Sequence, residues 1–228
     1  DGVVAEVLLG RLAAGEQERP CCRVRLAGPA DDVATAARRL AGALPARAAT
    51  TALAAEALAL AGAGLPEPSA QVEMDEDAAE PTAGEAFARL FATLAATLVR
   101  LAPDVGPQDE EPVHQMRVAV RRLRSALRIF HRAAGGAALA EADTRLGALA
   151  RLLAPARAWD VFLGTTGQAL VAALPDSPEV ARLLAAAEHR RRRIYAALQA
   201  HLAGPDFRLL GVDLAVLAVQ RPWEKDEA

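Results

Sequence analysis

The sequence predicts a mainly α fold: an up-and-down antiparallel helical bundle preceded by a small N-terminal α/β segment. The composition is 53% hydrophobic but only 4% aromatic, with Ala and Leu dominant, a mix that favours helices over sheets. From Glu85 onward apolar residues recur at steps of three and four, the period of an amphipathic helix. Helix start and stop signals punctuate these stretches at short intervals, and short connections join antiparallel neighbours.

Taken in order, residues 1–65 read as the α/β piece. VVAEVLL (3–9) and CCRVRLA (21–27) are short β-prone runs. Pro29-Ala30-Asp31-Asp32 then opens a helix to about Leu44, with Asp32 as its expected N-cap. Residues 66–84 are expected to be an acidic linker, with Pro66, Pro68, Pro81 and the run Glu73-Met74-Asp75-Glu76-Asp77. Too few apolar side chains are present there to bury it. It reads as a solvated hinge, or as acids able to cover the arginines described below. The bundle occupies 85–223. Its first helix, Glu85–Leu101, sets Phe87, Leu90, Phe91, Leu94, Leu98 and Leu101 on one face. A second runs from about Glu110 to Ala134 and stops at Gly135-Gly136. A third runs from about Ala138 to Leu153, is interrupted at Pro155 and resumes to Ala173. Ser177-Pro178-Glu179 (cap, proline at the first helical position, acid in the first turn) starts a fourth that continues to His201. Pro205 opens the last, ending near Gln220. Its segment FRLLGVDLAVLAV (207–219) is apolar around much of its circumference, which predicts an exposed patch and self-association.

The second helix carries the functional signal. Between Pro112 and Ala140 there is no carboxylate, yet six arginines and two histidines. His114, Arg117, Arg121, Arg124, Arg128 and His131 recur at steps of 3, 4, 3, 4 and 3 and so form one stripe. One position earlier, Val113, Met116, Val120, Leu123, Leu127 and Phe130 form an apolar stripe beside it. At 1.5 Å per residue the basic stripe runs roughly 26 Å, suited to a polymeric anion. Charge runs on helices are usually solvated or salt-bridged faces, and Asp143, Asp160 and Glu188 lie on other helices as candidate partners. Against that, like charges three or four residues apart each cost about 0.2–0.5 kcal/mol, and no glutamate is interleaved to relieve them. Anion binding is the better reading. His114 could meet a phosphate or make a structural hydrogen bond. No His, Cys or carboxylate sits three or four residues after it, so no metal and no cofactor are expected. Arg190 to Arg193 sweep around their helix. Arg193, spaced in phase with Arg182 and His189, is the one expected to face a ligand, and the others solvent.

The net charge of −3 hides a division: 9 basic and 17 acidic side chains lie in 1–110, against 17 basic and 12 acidic in 111–228. Of 26 basic residues only Lys225 is a lysine. Whatever the origin of this bias, it supplies planar guanidinium forks that meet phosphate oxygens bidentately. Cys21 and Cys22 are adjacent, which argues against a disulfide framework and for a reducing, cytoplasmic setting. No uninterrupted apolar run of membrane-spanning length is seen, so no membrane partner is expected. Walker, His-Glu-x-x-His and nucleophile-elbow motifs are lacking, and no catalytic residue is expected.

VHQMRVAVRRLR (113–124) resembles the signature of the CHAD domain, the "conserved histidine α-helical domain". The resemblance runs from about Ala83 to about Trp223. It includes ARAWDVF (156–162), similar to the family's Arg-Asp-x-Asp-Val segment with Arg157 and Asp160 kept and Ala158 in place of the first aspartate, and the basic helix near Arg190–Tyr195. It implies a helical module that binds inorganic polyphosphate, with Arg157 among its contacts. A full CHAD domain resembles two related halves, each with its own His/Arg helix; here only the first is seen, which implies packing against a missing second half or against another copy. Residues 1–65 faintly resemble the end of a CYTH domain, a triphosphate-tunnel barrel, without its glutamate-rich strand and lysines.

The resulting expectation is non-catalytic binding of inorganic polyphosphate by His114, Arg117, Arg121, Arg124, Arg128, Arg157 and Arg193, in the cytoplasm and at polyphosphate granules. General polyanion or nucleic-acid binding shares the same electrostatic footprint, but few aromatic side chains are present to stack bases. Triphosphate hydrolysis by the CYTH-like part of a longer parent protein is the alternative from a different class.

Overall fold

The structure is a computed structural model and describes residues 2–62, 82–130 and 136–224. Strands β1 (Val4–Ala14) and β2 (Gln17–Ala27) pair antiparallel, with Val7 opposite Val24 and Leu9 opposite Cys22. Helices α1 (Ala30–Ala43) and α2 (Leu53–Leu60) follow. The bundle comprises α3 (Ala83–Leu101), α4 (Glu111–Phe130), α5 (Ala137–Val161), α6 (Gln168–Ala173), α7 (Pro178–Ala203) and α8 (Pro205–Gln220). Residues 66–81 of the expected linker, together with His131 and Gly135, lie outside the described residues.

Both strands run longer than their β-prone cores. Gly15, with φ of 60°, turns the chain between Ala14 and Gln17, and Glu16 keeps an ordinary negative φ, the pattern of a tight II′ hairpin turn. Once that turn is made, the polar residues around it pair by register, whatever their own preference. Helix α1 begins one turn earlier than an Asp32 cap would allow: Pro29 is its N-cap and makes no side-chain cap bond.

In the bundle, α3 opens with a capping box. Thr82 Oγ1 accepts from Glu85 N–H at 3.3 Å, while Thr82 N–H donates to Glu85 Oε2 at 2.9 Å. The segment Ala83–Asp104 does have the length and hydropathy of a membrane span, contrary to the reading from uninterrupted runs; 56% of that window is buried in the protein. It is a core helix, with Phe87, Phe91, Leu94 and Leu98 fully covered. Val113, Met116, Val120, Leu123 and Leu127 of α4 are buried as the apolar stripe predicts, and Phe130 stacks on Phe87 at 4.4 Å between ring centroids.

Helix α5 does not break at Pro155 but passes through it. Pro155 lies on the exposed side of α5, so the Arg151 carbonyl that loses its amide donor can be served by water. The irregularity comes later, as a wide π turn over Phe162–Gly167 that leads into α6. Ser177 caps α7 as expected, accepting from Val180 N–H at 3.3 Å.

Helix α8 differs most from expectation. Phe207, Leu210, Val212, Leu214 and Leu217 are buried, because α8 is packed by α3, α5 and α7 and also by α1. Gly211 permits close approach to α3: a Cβ there would meet Val99 Cγ2 at 3.0 Å. Asp213 of α8 accepts from Arg38 of α1 and from Arg145 of α5, and Arg208 Nε donates to the Ala41 carbonyl at 2.9 Å. The helix is apolar around much of its circumference because α1, α3, α5 and α7 all pack on it. Helix α1 covers much of the patch predicted from its sequence, while Ala215 and Val219 stay exposed.

Candidate polyanion-binding cleft

Helices α4 and α5 pack side by side, and a cleft of about 430 Å³ opens along the basic shoulder of α4. His114, Arg117, Arg121, Arg124 and Arg128 line it from α4, with Ala150 and Arg157 across from them on α5. The stripe is local arithmetic: burying the apolar stripe turns the residues one position on toward the α5 groove. Arg157 joins because α5 runs antiparallel to α4 and brings its C-terminal half beside the start of α4. Arg193 does not join; it is exposed on α7 and is absent from the cleft lining.

Five guanidiniums therefore converge on one cleft, and two carboxylates border it. Arg124 Nε donates to Asp143 Oδ1 at 2.8 Å, and Arg157 Nη1 lies 3.0 Å from Glu110 Oε2. The hydrogen bond and charge of Asp143 raise the pKa of Arg124 above its ordinary value. Arg128 Nη2 donates to Ser125 Oγ at 3.2 Å. Among the described residues, no carboxylate lies within 4.0 Å of Arg117 or Arg121. Self-repulsion along the stripe is thus relieved at Arg124, by Asp143, and left standing at Arg117 and Arg121. A cleft with uncompensated, pre-placed guanidiniums is suited to phosphate oxygens, each fork offering paired donors. Val118, Val120 and Ala150 are the apolar part of its lining, and no Phe, Tyr or Trp ring contributes.

Of the three acids considered as partners of the stripe, only Asp143 reaches it. Asp160 is 3% exposed and faces α7, where its Oδ1 accepts from Arg191 Nε at 2.7 Å and its Oδ2 from Tyr195 O–H at 2.8 Å. Arg191 also donates from Nη1 to the Pro107 carbonyl at 2.8 Å, and Gln199 Nε2 donates to the Val105 carbonyl at 2.8 Å. Together these tie the connection before α4 to α7, and Asp109 Oδ1 accepts the Glu111 N–H at 2.9 Å to start the helix. Burial opposes the charge on Arg191, but Asp160 more than offsets it, so its pKa rises. Arg191 was expected in solvent. Its phase gives the signal that was missed: it is four residues from both Ala187 and Tyr195, which are buried. Glu188 pairs with Arg191 and Arg192 at 3.6 and 3.8 Å, not with the stripe. Trp159 is half-buried and meets Phe162 edge-on at 5.6 Å. Among the described residues, no three His, Cys, Asp or Glu side chains gather as a metal site.

Fold and cleft together define a helical bundle with a guanidinium-lined groove between α4 and α5. The sequence model of the CHAD domain matches residues 89–228, and the chain belongs to that family. CHAD domains are associated with polyphosphate binding in general and are generally non-catalytic binding modules. Neither the curated proteins nor the solved structures include a match to this chain.

Proposed function

We propose that this chain binds inorganic polyphosphate in the α4–α5 cleft without acting on it chemically. The observation that carries the reading is the convergence of five arginines on one cleft, with Arg117 and Arg121 held at its centre and no carboxylate of the described residues paired to them. Bound phosphates would replace that missing counter-charge, and release of counterions from the polymer adds a salt-dependent gain. The cleft lacks the aromatic platforms on which single-stranded nucleic acids stack, which favours a ligand that is phosphate throughout. In the same reading residues 2–62 are a remnant of a CYTH-like barrel without an active site: Arg19 and Arg23 of its hairpin are already paired with Glu56 of α2. A reducing cytoplasm, at polyphosphate granules, is the setting we propose, with Cys21 and Cys22 free. Competition of unlabelled triphosphate, DNA and RNA against labelled long-chain polyphosphate, over a salt series, tests the assignment. Polyphosphate should win at every salt concentration; equal competition by nucleic acid of matched charge would reduce the site to a general polyanion surface.

A further inference from the structure

The two carboxylates that border the cleft hold their arginines in different ways. Asp143 takes Arg124 on two prongs, Nε to Oδ1 at 2.8 Å and Nη2 to Oδ2 at 3.4 Å. Both side chains are about two-thirds covered, at 34% and 33% exposure. One turn along α5, Gly147 leaves room beside the same guanidinium: a Cβ built there would stand 3.4 Å from Arg124 Cζ. Held this way, Arg124 still lines the cleft, and its Nη1 has no partner among the described residues. Glu110 makes a single contact with Arg157, at 3.0 Å, and is 51% exposed. It stands just before α4, where only its backbone carbonyl is committed, to the His114 N–H.

We propose that the two acids have opposite tasks in this cleft, a proposal that rests on its binding polyphosphate. Asp143 is a positioning residue that aims the free edge of Arg124 at the ligand. Glu110 is a built-in competitor, which a ligand phosphate displaces from Arg157. An arginine already anchored loses less freedom when the ligand arrives. A half-exposed, single-contact ion pair is weak and is given up readily. Asp143→Asn and Glu110→Gln each remove one negative charge beside the cleft, so charge alone would make both variants bind more tightly. The geometry gives the two substitutions opposite signs.

The experiment measures the affinity of the full chain for end-labelled long-chain polyphosphate over a salt series, with thermal melts to establish folding. Glu110→Gln should bind about two- to fivefold tighter at low salt, the size of one exposed ion pair. Asp143→Asn should bind about two- to tenfold weaker, the ordering of one long side chain. On an Arg124→Ala background, Asp143→Asn should no longer weaken binding, because the acid acts through the arginine. Should Asp143→Asn not fold, Arg124→Lys keeps the charge while losing the fork, and should weaken binding. Tightening by Asp143→Asn, an undiminished loss on the Arg124→Ala background, or unchanged binding by Arg124→Lys would each overturn the positioning role. Unchanged or weaker binding by Glu110→Gln would overturn the competitor role. No binding by the unaltered chain even at low salt would sink the polyphosphate reading itself, and this proposal with it.

Discussion

Replacing Asp160 by asparagine should be among the most damaging single-atom changes available to this bundle. The carboxylate is 3% exposed and accepts from two donors, Arg191 Nε at 2.7 Å and Tyr195 O–H at 2.8 Å. Asparagine keeps the shape but supplies one acceptor and one donor, so an N–H must face either the guanidinium or the phenol. With the amide oxygen kept toward Arg191 and the N–H toward the phenol oxygen, Arg191, whose side chain is 13% exposed, would still lose its buried counter-charge. It would retain only Glu188 at 3.6 Å as an ionic partner, beside the Pro107 carbonyl. Removing one partner of a buried pair costs about 3–5 kcal/mol; the residual contact with Glu188 and the partial exposure of Arg191 put the expectation near the lower end, at about 3 kcal/mol. Tyr195→Phe removes only the second hydrogen bond and leaves the ion pair intact, for about 1.5 kcal/mol. Urea denaturation followed by circular dichroism reads both, with an unchanged slope showing that stability alone has moved. Because Arg191 also holds Pro107, Asp160→Asn should loosen the connection before α4 and weaken polyphosphate binding as well. A cost for Asp160→Asn below that of Tyr195→Phe would refute the reasoning, since the ion pair would then contribute less than the hydrogen bond beside it.

The same phenol gives a pH dependence. Burial, and then the Asp160 hydrogen bond, raise the pKa of Tyr195 above its ordinary 10.0; the stabilisation is present below that value and is lost as pH rises through the higher folded one. Tyr195→Phe should therefore flatten the alkaline limb of a pH–stability profile. At the acid side, the Thr82 N–H, and then the Thr82 hydroxyl, hold Glu85 below its ordinary 4.5. That contribution is present above 4.5 and is lost as pH falls through the lower folded value, so Glu85→Gln should remove it and leave the start of α3 less protected in hydrogen exchange. Asp213→Asn breaks the bridge from α1 to α8 to α5 in a partly exposed setting and should cost about 1 kcal/mol in denaturant melts, largely abolished when Arg38 and Arg145 are already alanine.

What could be seen in the sequence was local. The helical phase of α4 places its apolar and basic stripes without reference to any other element, and the structure buries one and opens the other to the cleft. Ser177 and Thr82 likewise act on the turn they begin. What could not be seen depended on the packing of distant segments. Glu110 meets Arg157 only because α4 and α5 run antiparallel in one register. Arg191 turns inward because Asp160 is there to receive it. The apolar girth of α8 looked like an exposed patch because nothing in residues 207–219 reveals that α1 covers it. Pro155 reads as a helix break because it removes an amide donor and crowds the Arg151 carbonyl. The helix continues because that carbonyl faces water and the buried Leu153 and Ala156 hold the chain on either side.

The account stands or falls on whether polyphosphate is bound by positioned arginines or by net positive charge. Arg121 lines the cleft and Arg122, its neighbour, is exposed outside it, so Arg121→Glu and Arg122→Glu change charge identically and geometry differently. Titrating both folded variants with labelled polyphosphate over a salt series should show Arg121→Glu weakened by about tenfold or more, roughly 1.4 kcal/mol or above. Its salt dependence should be flatter, as a lost contact releases fewer counterions, while Arg122→Glu moves by about threefold at most. Equal losses in the two variants would contradict the cleft as the binding site.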